Sequence, residues 1–273
     1  MTAEEVYRWP NDYELETLAR DIGDLPFWVD LLRRERPVRV LEIGCGCGRL
    51  TLPLARLGAE QGFTITGIEM ESAMLQRAKE HASVEPDPAR RALRLIPGDA
   101  RDLDSALRRR DDVSAPLFDV ILMPYGVAHH LISPDDRLRA WRGARRWLRT
   151  GGLLVVDLTA PDLGRLLAGA CGDTPRRLDM EAQGNGRSLL RTVATRYAPA
   201  TQQETLAFEY HLSDPEGSQR DYRSDFDMHV YFPRDLITVF RMTGFAVERL
   251  TGAYSGEPFG PRSPQLIGQG RAI

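Results

Sequence analysis

Three acids and a pair of histidines stand at the ends of apolar runs in this 273-residue chain, where a sheet would expose them along one edge. Glu42 lies in the run from Val38 to Ile43, directly before glycines 44, 46 and 48. Glu69 ends F-T-I-T-G-I-E at 63–69, and Asp99 follows the run Ala92 to Pro97 in P-G-D-A. His129 and His130 come after Phe118 to Met123 and the break Pro124-Tyr125-Gly126. Carboxylates so placed accept hydroxyl, amino or ammonium groups, and a histidine can take a proton near neutral pH. Neighbouring residues on a helix point about 100° apart, so one of the two histidines faces any acceptor and the other does not. Alternate glycines let the backbone adopt positive φ and approach a bound molecule closely, which makes Gly44 to Gly48 the floor of a ligand site.

The spacing speaks against a dinucleotide. G-x-G-x-x-G needs a small residue at position 49, which is Arg49. A carboxylate at Glu69 can accept both hydroxyls of a ribose, or it can favour the N-terminus of the next helix. Asp99 likewise either meets a ligand or caps the helix that contains Leu103 and Leu107.

The segment E-x-G-x-G-x-G at 42–48 resembles motif I of the class I S-adenosylmethionine-dependent methyltransferases, small-molecule branch. That resemblance implies S-adenosylmethionine as cofactor. Glu42, Gly44, Cys45, Gly46 and Gly48 would lie under its methionine part, Cys45 as a small filler and Glu42 toward the cationic amino group. Glu69 would take the ribose and Met70 the adenine face. Asp99 would accept from the adenine amino group while the Ala100 amide meets a ring nitrogen. Met123 and Tyr125 would border the transferred methyl, and His129 or His130 would serve as base. The nucleic-acid enzymes carry an acid or asparagine before Pro-Pro-Tyr at that point; Met123-Pro124-Tyr125-Gly126 departs from it and argues against a nucleobase. Tyr7 and Trp9 would be the aromatics of an N-terminal lid, Tyr7 on cofactor and Trp9 on acceptor, with Tyr231 and Tyr254 as further acceptor contacts.

The elements needed to hold these groups are legible as a series. Apolar runs alternate with helical patterns five times up to Leu158, which requires a mostly parallel, doubly wound sheet. Ser133-Pro134 opens the helix carrying Leu138, Trp141, Ala144 and Leu148. Three alternating runs, 188–197, 203–212 and 220–231, then read as an inserted antiparallel sheet, after a short helical stretch and the loop 183–186. A helix from Pro233 and strands at 245–250 and 264–268 resemble the closing antiparallel hairpin of the same family. The expected fold is α/β: a seven-stranded Rossmann-like methyltransferase sheet with an inserted antiparallel β cap and an N-terminal helical lid. Its divisions are 1–36 for the lid, 37–160 and 232–273 for the core, and 161–231 for the cap, which serves as substrate cover or dimer surface.

Composition narrows the partners. With 36 basic against 39 acidic residues the net charge is −3, and no broad positive footprint for nucleic acid exists. No run approaches membrane-spanning length and the first residues lack the features of a signal peptide, so a cytoplasmic protein is expected. Three cysteines make no even disulfide framework and no zinc spacing, and no metal is expected. The sole lysine, Lys79, has Leu75 four residues before it, which excludes the Tyr-x-x-x-Lys pair of short-chain dehydrogenases. The expected function is methyl transfer to a hydroxyl or amine of a small molecule, with secondary metabolism as its expected setting and a homodimer allowed. A noncatalytic S-adenosylmethionine binder, and more remotely an NAD oxidoreductase, are the alternatives.

Overall fold

The computed structural model describes residues 6–19, 22–107, 117–184 and 186–273. The chain forms two units, one of residues 23–160 and 231–273, the other of 1–22 and 161–230. Helix α1 (Pro10–Ala19) belongs to the smaller unit.

The larger unit begins with α2 (Leu25–Glu35) and continues through β1 (Arg39–Ile43), α3 (Thr51–Gln61), β2 (Thr64–Glu69), α4 (Ser72–Ser83), α5 (Asp87–Ala92) and β3 (Leu93–Pro97). Then come α6 (Leu103–Leu107), β4 (Phe118–Met123), α7 (Pro134–Trp147) and β5 (Leu148–Thr159). The chain departs through α8 (Leu163–Ala170) and β6 to β9, at Arg177–Gly184, Arg187–Ala198, Gln203–Ser213 and Gln219–His229. It returns with α9 (Pro233–Met242), β10 (Phe245–Thr251) and β11 (Gln265–Ala272).

Seven strands form one sheet in the order β3-β2-β1-β4-β5-β11-β10. The first five are parallel, and β11 runs antiparallel between β5 and β10. Strand order reverses between β1 and β4, and a crevice outside the carboxyl ends of parallel strands is expected at such a switch point. The strands are apolar on both faces because helices cover both. In β4, Ile121 and Met123 pack in one buried cluster with Trp141, Phe240 and Tyr231, while Val120 and Leu122 pack in another with Trp28, Leu31 and Leu54. Gly67 in β2 is needed for a close approach: a Cβ there would stand 2.9 Å from the Cys45 Cβ.

Helix α7 starts as its sequence dictates. Ser133 Oγ accepts the Asp136 N–H at 3.0 Å, with proline in the first turn.

The smaller unit is a four-stranded antiparallel sheet, β6-β7-β8-β9, with α1 and α8. It has one more strand than the three expected. The stretch 177–184 is β6, whose Leu178, Met180 and Ala182 alternate but whose intervening charges hide the period; Asn185 of the expected loop lies outside the described residues. Its buried face carries Phe208, Phe226, Leu189 and Val193. A polar seam crosses that face, where Arg191 pairs with Glu16 and Asp179.

The expected lid of residues 1–36 is divided. Helix α2 is part of the larger unit's core, with Trp28, Leu31 and Leu32 fully buried there, whereas residues 6–19 pack with the four-stranded sheet. The physical reason is that α2 presents a full apolar face to β1 and β4, and α1 presents Asp12 and Glu16 to arginines of the sheet.

Candidate functional site

The glycine loop after β1 turns at Gly44, Gly46 and Gly48, with φ of 75°, 55° and 86°. At Gly44 a side chain is excluded twice over, by that φ and by Val127, whose Cγ2 would lie 2.5 Å from a Cβ. The Gly44 and Cys45 amides both donate to the Ile68 carbonyl, at 2.8 and 2.9 Å, so these two N–H groups are spent on tying the loop to β2. Cys45 itself is buried.

The Gly46 N–H points instead at Glu69, whose Oε2 accepts it at 2.9 Å while Oε1 accepts the Glu71 N–H at 2.8 Å. Burial pushes the Glu69 carboxyl above its ordinary range, and those amides oppose the shift. Met70 next to it is exposed. The Glu69 carbonyl accepts the Gly98 N–H at 3.0 Å, which brings the loop after β3 beside it. There Asp99 and Ala100 are half-buried. Asp99 caps the 3₁₀ turn Ala100–Asp102 through the Arg101 N–H at 2.8 Å and also pairs with the Arg101 guanidinium. Burial disfavours its ionised form, but Arg101 outweighs burial and holds the carboxyl below its ordinary range.

Glu42 lies beneath the loop, buried, with Oε2 accepting the Thr51 hydroxyl at 2.6 Å. Burial pushes it up to about 8, against that hydrogen bond. Such a carboxyl is neutral at pH 7 until a cation arrives to favour its charge.

The corner after β4 completes the crevice. Tyr125 sits at φ 51°, a left-handed conformation costing a non-glycine residue about 1–2 kcal/mol. It is held by Asp157 in β5, whose Oδ2 accepts the Tyr125 N–H at 2.9 Å and the Tyr254 hydroxyl at 2.9 Å. Burial pushes Asp157 up to about 6, opposed by these two hydrogen bonds. Arg49 lies 5.3 Å over the Tyr125 ring and pairs through both terminal nitrogens with buried Asp24 at 2.7 and 2.8 Å.

The turn Val127–His130 holds both histidines. His129 is buried, and its Nε2 accepts the Thr159 N–H at 3.1 Å, so its proton resides on Nδ1. His130 is exposed at the residue level, while the protein around its ring disfavours the imidazolium and lowers its pKa.

The carboxyl edge of the parallel strands therefore carries Glu42, the glycine loop, Glu69, Met70, Asp99, Ala100, Tyr125 and His130, with Tyr254 bonded to Asp157 of β5. Two expected contacts are core residues of the larger unit, and two others make their ring contacts within the smaller unit. Met123 has no exposed surface because it is packed between strands and α7. Tyr231 is 1 % exposed, its hydroxyl bonded to the Ala128 carbonyl at 3.2 Å and its ring against Trp141 and His129; it is a core residue rather than a ligand contact. Tyr7 and Trp9 pack within the smaller unit, Tyr7 on Phe226 and Tyr13 and Trp9 under Arg220. Sequence reasoning missed Asp157 and Asp24. Asp157 carries the signal that marked Glu42 and Glu69, a lone acid near the carboxyl end of an apolar strand in L-L-V-V-D-L.

Parallel strands in this order, closed by an antiparallel pair and with the glycine loop and acids at the switch point, are the fold of the class I S-adenosylmethionine-dependent methyltransferases. Residues 40–152 match the family model of a methyltransferase domain. The first curated relatives are matched over only 40–46 % of their own length. A longer match, 24 % identical over 88 % of this chain and 85 % of the relative, is to the cypemycin N-terminal methyltransferase of a Streptomyces species. Among solved structures, DesVI of Streptomyces venezuelae superposes with a TM-score of 0.70 at 19 % identity, covering 96 % of this chain and 97 % of its own. CalS10 of Micromonospora echinaspora, an amino pentose methyltransferase solved with S-adenosylmethionine, superposes at 0.68 and 19 % identity over 95 % and 96 %.

S-adenosylmethionine is the cofactor that goes with this fold, and the residues present fit it. The open floor at Gly46, where a Cβ would meet only the Met74 Cε at 3.6 Å, leaves room for a ligand. Glu69 offers a carboxylate for vicinal hydroxyls, Asp99 an acceptor for an exocyclic amine, and exposed Met70 an apolar face for a base. Among the described residues no helix is long and apolar enough to cross a membrane, and no cluster suits a metal ion.

Proposed function

We propose that the protein transfers the methyl group of S-adenosylmethionine to a nitrogen of a small molecule, with an oxygen acceptor as the second choice. The observation that supports methyl transfer is the hydrogen bond from the Gly46 N–H to Glu69 at 2.9 Å, the arrangement expected of an acid that takes the ribose at the end of the glycine floor. The cofactor supplies an activated methyl on a sulfonium, so the chain's task is alignment and exclusion of water rather than strong activation.

The roles follow from position. Glu42 balances the cationic amino group, Glu69 and Asp99 fix the ribose and adenine, and the Tyr125 corner borders the methyl. His130 takes the proton that the acceptor loses. The nitrogen preference is supported by proteins that align over most of the chain, whose names specify an N-terminal methyltransferase, an amino pentose methyltransferase and a sugar N-methyltransferase. Such acceptors point to secondary metabolism.

The test is calorimetric titration with S-adenosylmethionine, followed by incubation with radiolabelled cofactor and a panel of amino sugars, peptide amines and phenols. Labelled product confined to amines supports the reading. Label on phenols alone shifts it to oxygen. Tight binding with no product from any acceptor leaves the protein a noncatalytic binder and rejects the reading.

A further inference from the structure

Asp157 is 1 % exposed, and its carboxylate is unevenly used. Oδ2 accepts from both the Tyr125 N–H and the Tyr254 hydroxyl, while the buried Oδ1 has no partner among the described residues. Its backbone carbonyl accepts the Gly126 N–H at 2.9 Å, so the whole corner after β4 is pinned by one residue of β5. A buried carboxylate oxygen without a donor is unfavourable, and natural proteins rarely keep one. Among the described residues no group supplies the missing donor.

We infer that Asp157 determines acceptor specificity: its carboxylate accepts an N–H from the ammonium group of an amine acceptor as it binds, displacing the Tyr254 hydroxyl, and the nitrogen then gives up one proton to His130 and attacks the methyl as the neutral amine, still held by a remaining N–H. The inference rests on the methyltransferase reading above. Its support is local. Asp157 stands on the strand next to β4, one hydrogen bond from the corner where the resembled fold presents the methyl. A carboxylate bonds a cationic donor more strongly than a neutral phenol, so an ammonium displaces Tyr254 where a hydroxyl acceptor gains little. Tyr254 is carried on the connection 252–264, which has glycines at 252, 256 and 260 and can withdraw. The charged groups facing Asp157 are Asp24 and Arg49, already joined to each other, and the two tyrosines; His129, near Thr159, is bound through Nε2. Burial, which raises this carboxyl, increases what it gains from a cation.

Sinefungin and S-adenosylhomocysteine are the probes, because they share adenosine and amino-acid parts while sinefungin adds an amine where the methyl would be. Contributions from Glu42, Glu69 and Asp99 cancel in the ratio of their affinities. Wild type is expected to prefer sinefungin by about tenfold or more. Asp157→Asn should reduce that preference to about threefold or less, with S-adenosylhomocysteine affinity nearly unchanged. Tyr254→Phe, which leaves the acid in place, should raise sinefungin affinity alone, and it keeps the idea testable if the asparagine variant does not fold. Equal affinity of wild type for both compounds, an undiminished preference in Asp157→Asn, or an unchanged ratio in Tyr254→Phe would overturn the inference. Binding of neither compound to wild type would overturn the cofactor reading and this inference with it.

Discussion

Arg49 grips Asp24 with both terminal nitrogens, at 2.7 and 2.8 Å, and the same carboxylate accepts the Trp28 indole N–H at 3.0 Å. A residue of the glycine loop is thereby fixed to the start of α2. Asp24 is 1 % exposed, so removing its partner strands a buried charge. Arg49→Met is expected to cost about 3 kcal/mol, read as a lowered urea midpoint. The double variant Asp24→Asn with Arg49→Met should recover part of that loss, because the stranded charge is gone.

Cofactor affinity should depend on pH through Glu42. Its carboxyl, raised from 4.5 to about 8 by burial, must ionise to balance a cationic amino group. Binding below pH 8 therefore releases a proton, and affinity for S-adenosylmethionine should rise about tenfold between pH 6.5 and 7.5. Glu42→Gln should flatten that slope, measured by calorimetry in buffers of different ionisation enthalpy. The same shift acts on folding with the opposite sense. Between pH 4.5 and about 8 the folded chain keeps a proton that the unfolded chain has lost, so this group's contribution to stability falls as pH rises through that window.

Glu69→Gln should weaken S-adenosylmethionine binding by about 10–100-fold, the worth of hydrogen bonds to a charged acceptor. A glutamine in the same place would turn an NH₂ toward the Gly46 or Glu71 N–H, each of which the carboxylate now satisfies. Loss of affinity together with a modestly lowered melting temperature, from the N–H left without an acceptor, is the expected pattern.

Tyr231→Phe should behave as a core substitution. It removes one buried hydroxyl, bonded to the Ala128 carbonyl, and should cost about 1 kcal/mol of stability. Acceptor KM and kcat should stay within twofold of wild type in steady-state assays.

Much of this was readable because chemistry and topology coincide at strand ends. Glu42, Glu69 and Asp99 are polar residues at the close of apolar runs, and parallel strands bring those ends together without further information. The corner Pro124-Tyr125-Gly126 was readable as a break but not as a strained one, since φ at Tyr125 is set by Asp157, 32 residues on. Tyr231 misled because alternation places residues on a face without saying what covers it. Tyr7 and Trp9 could not be assigned a packing surface from sequence, because aromatics early in a chain have many possible ones; the four-stranded sheet supplies their ring contacts. Strand β6 was hidden by a register shift between Leu178 and Met180, which interrupts an already charged alternation.

The smaller unit joins residues 1–22 to 161–230, with the glycine loop and five parallel strands encoded between them. During synthesis α1 emerges well before the arginines that neutralise Asp12 and Glu16 are translated. That helix must wait, its buried acids hydrated, until β7 and β9 leave the ribosome. A nascent chain halted before residue 187 would expose that helix to proteases, whereas one extended past 230 would protect it.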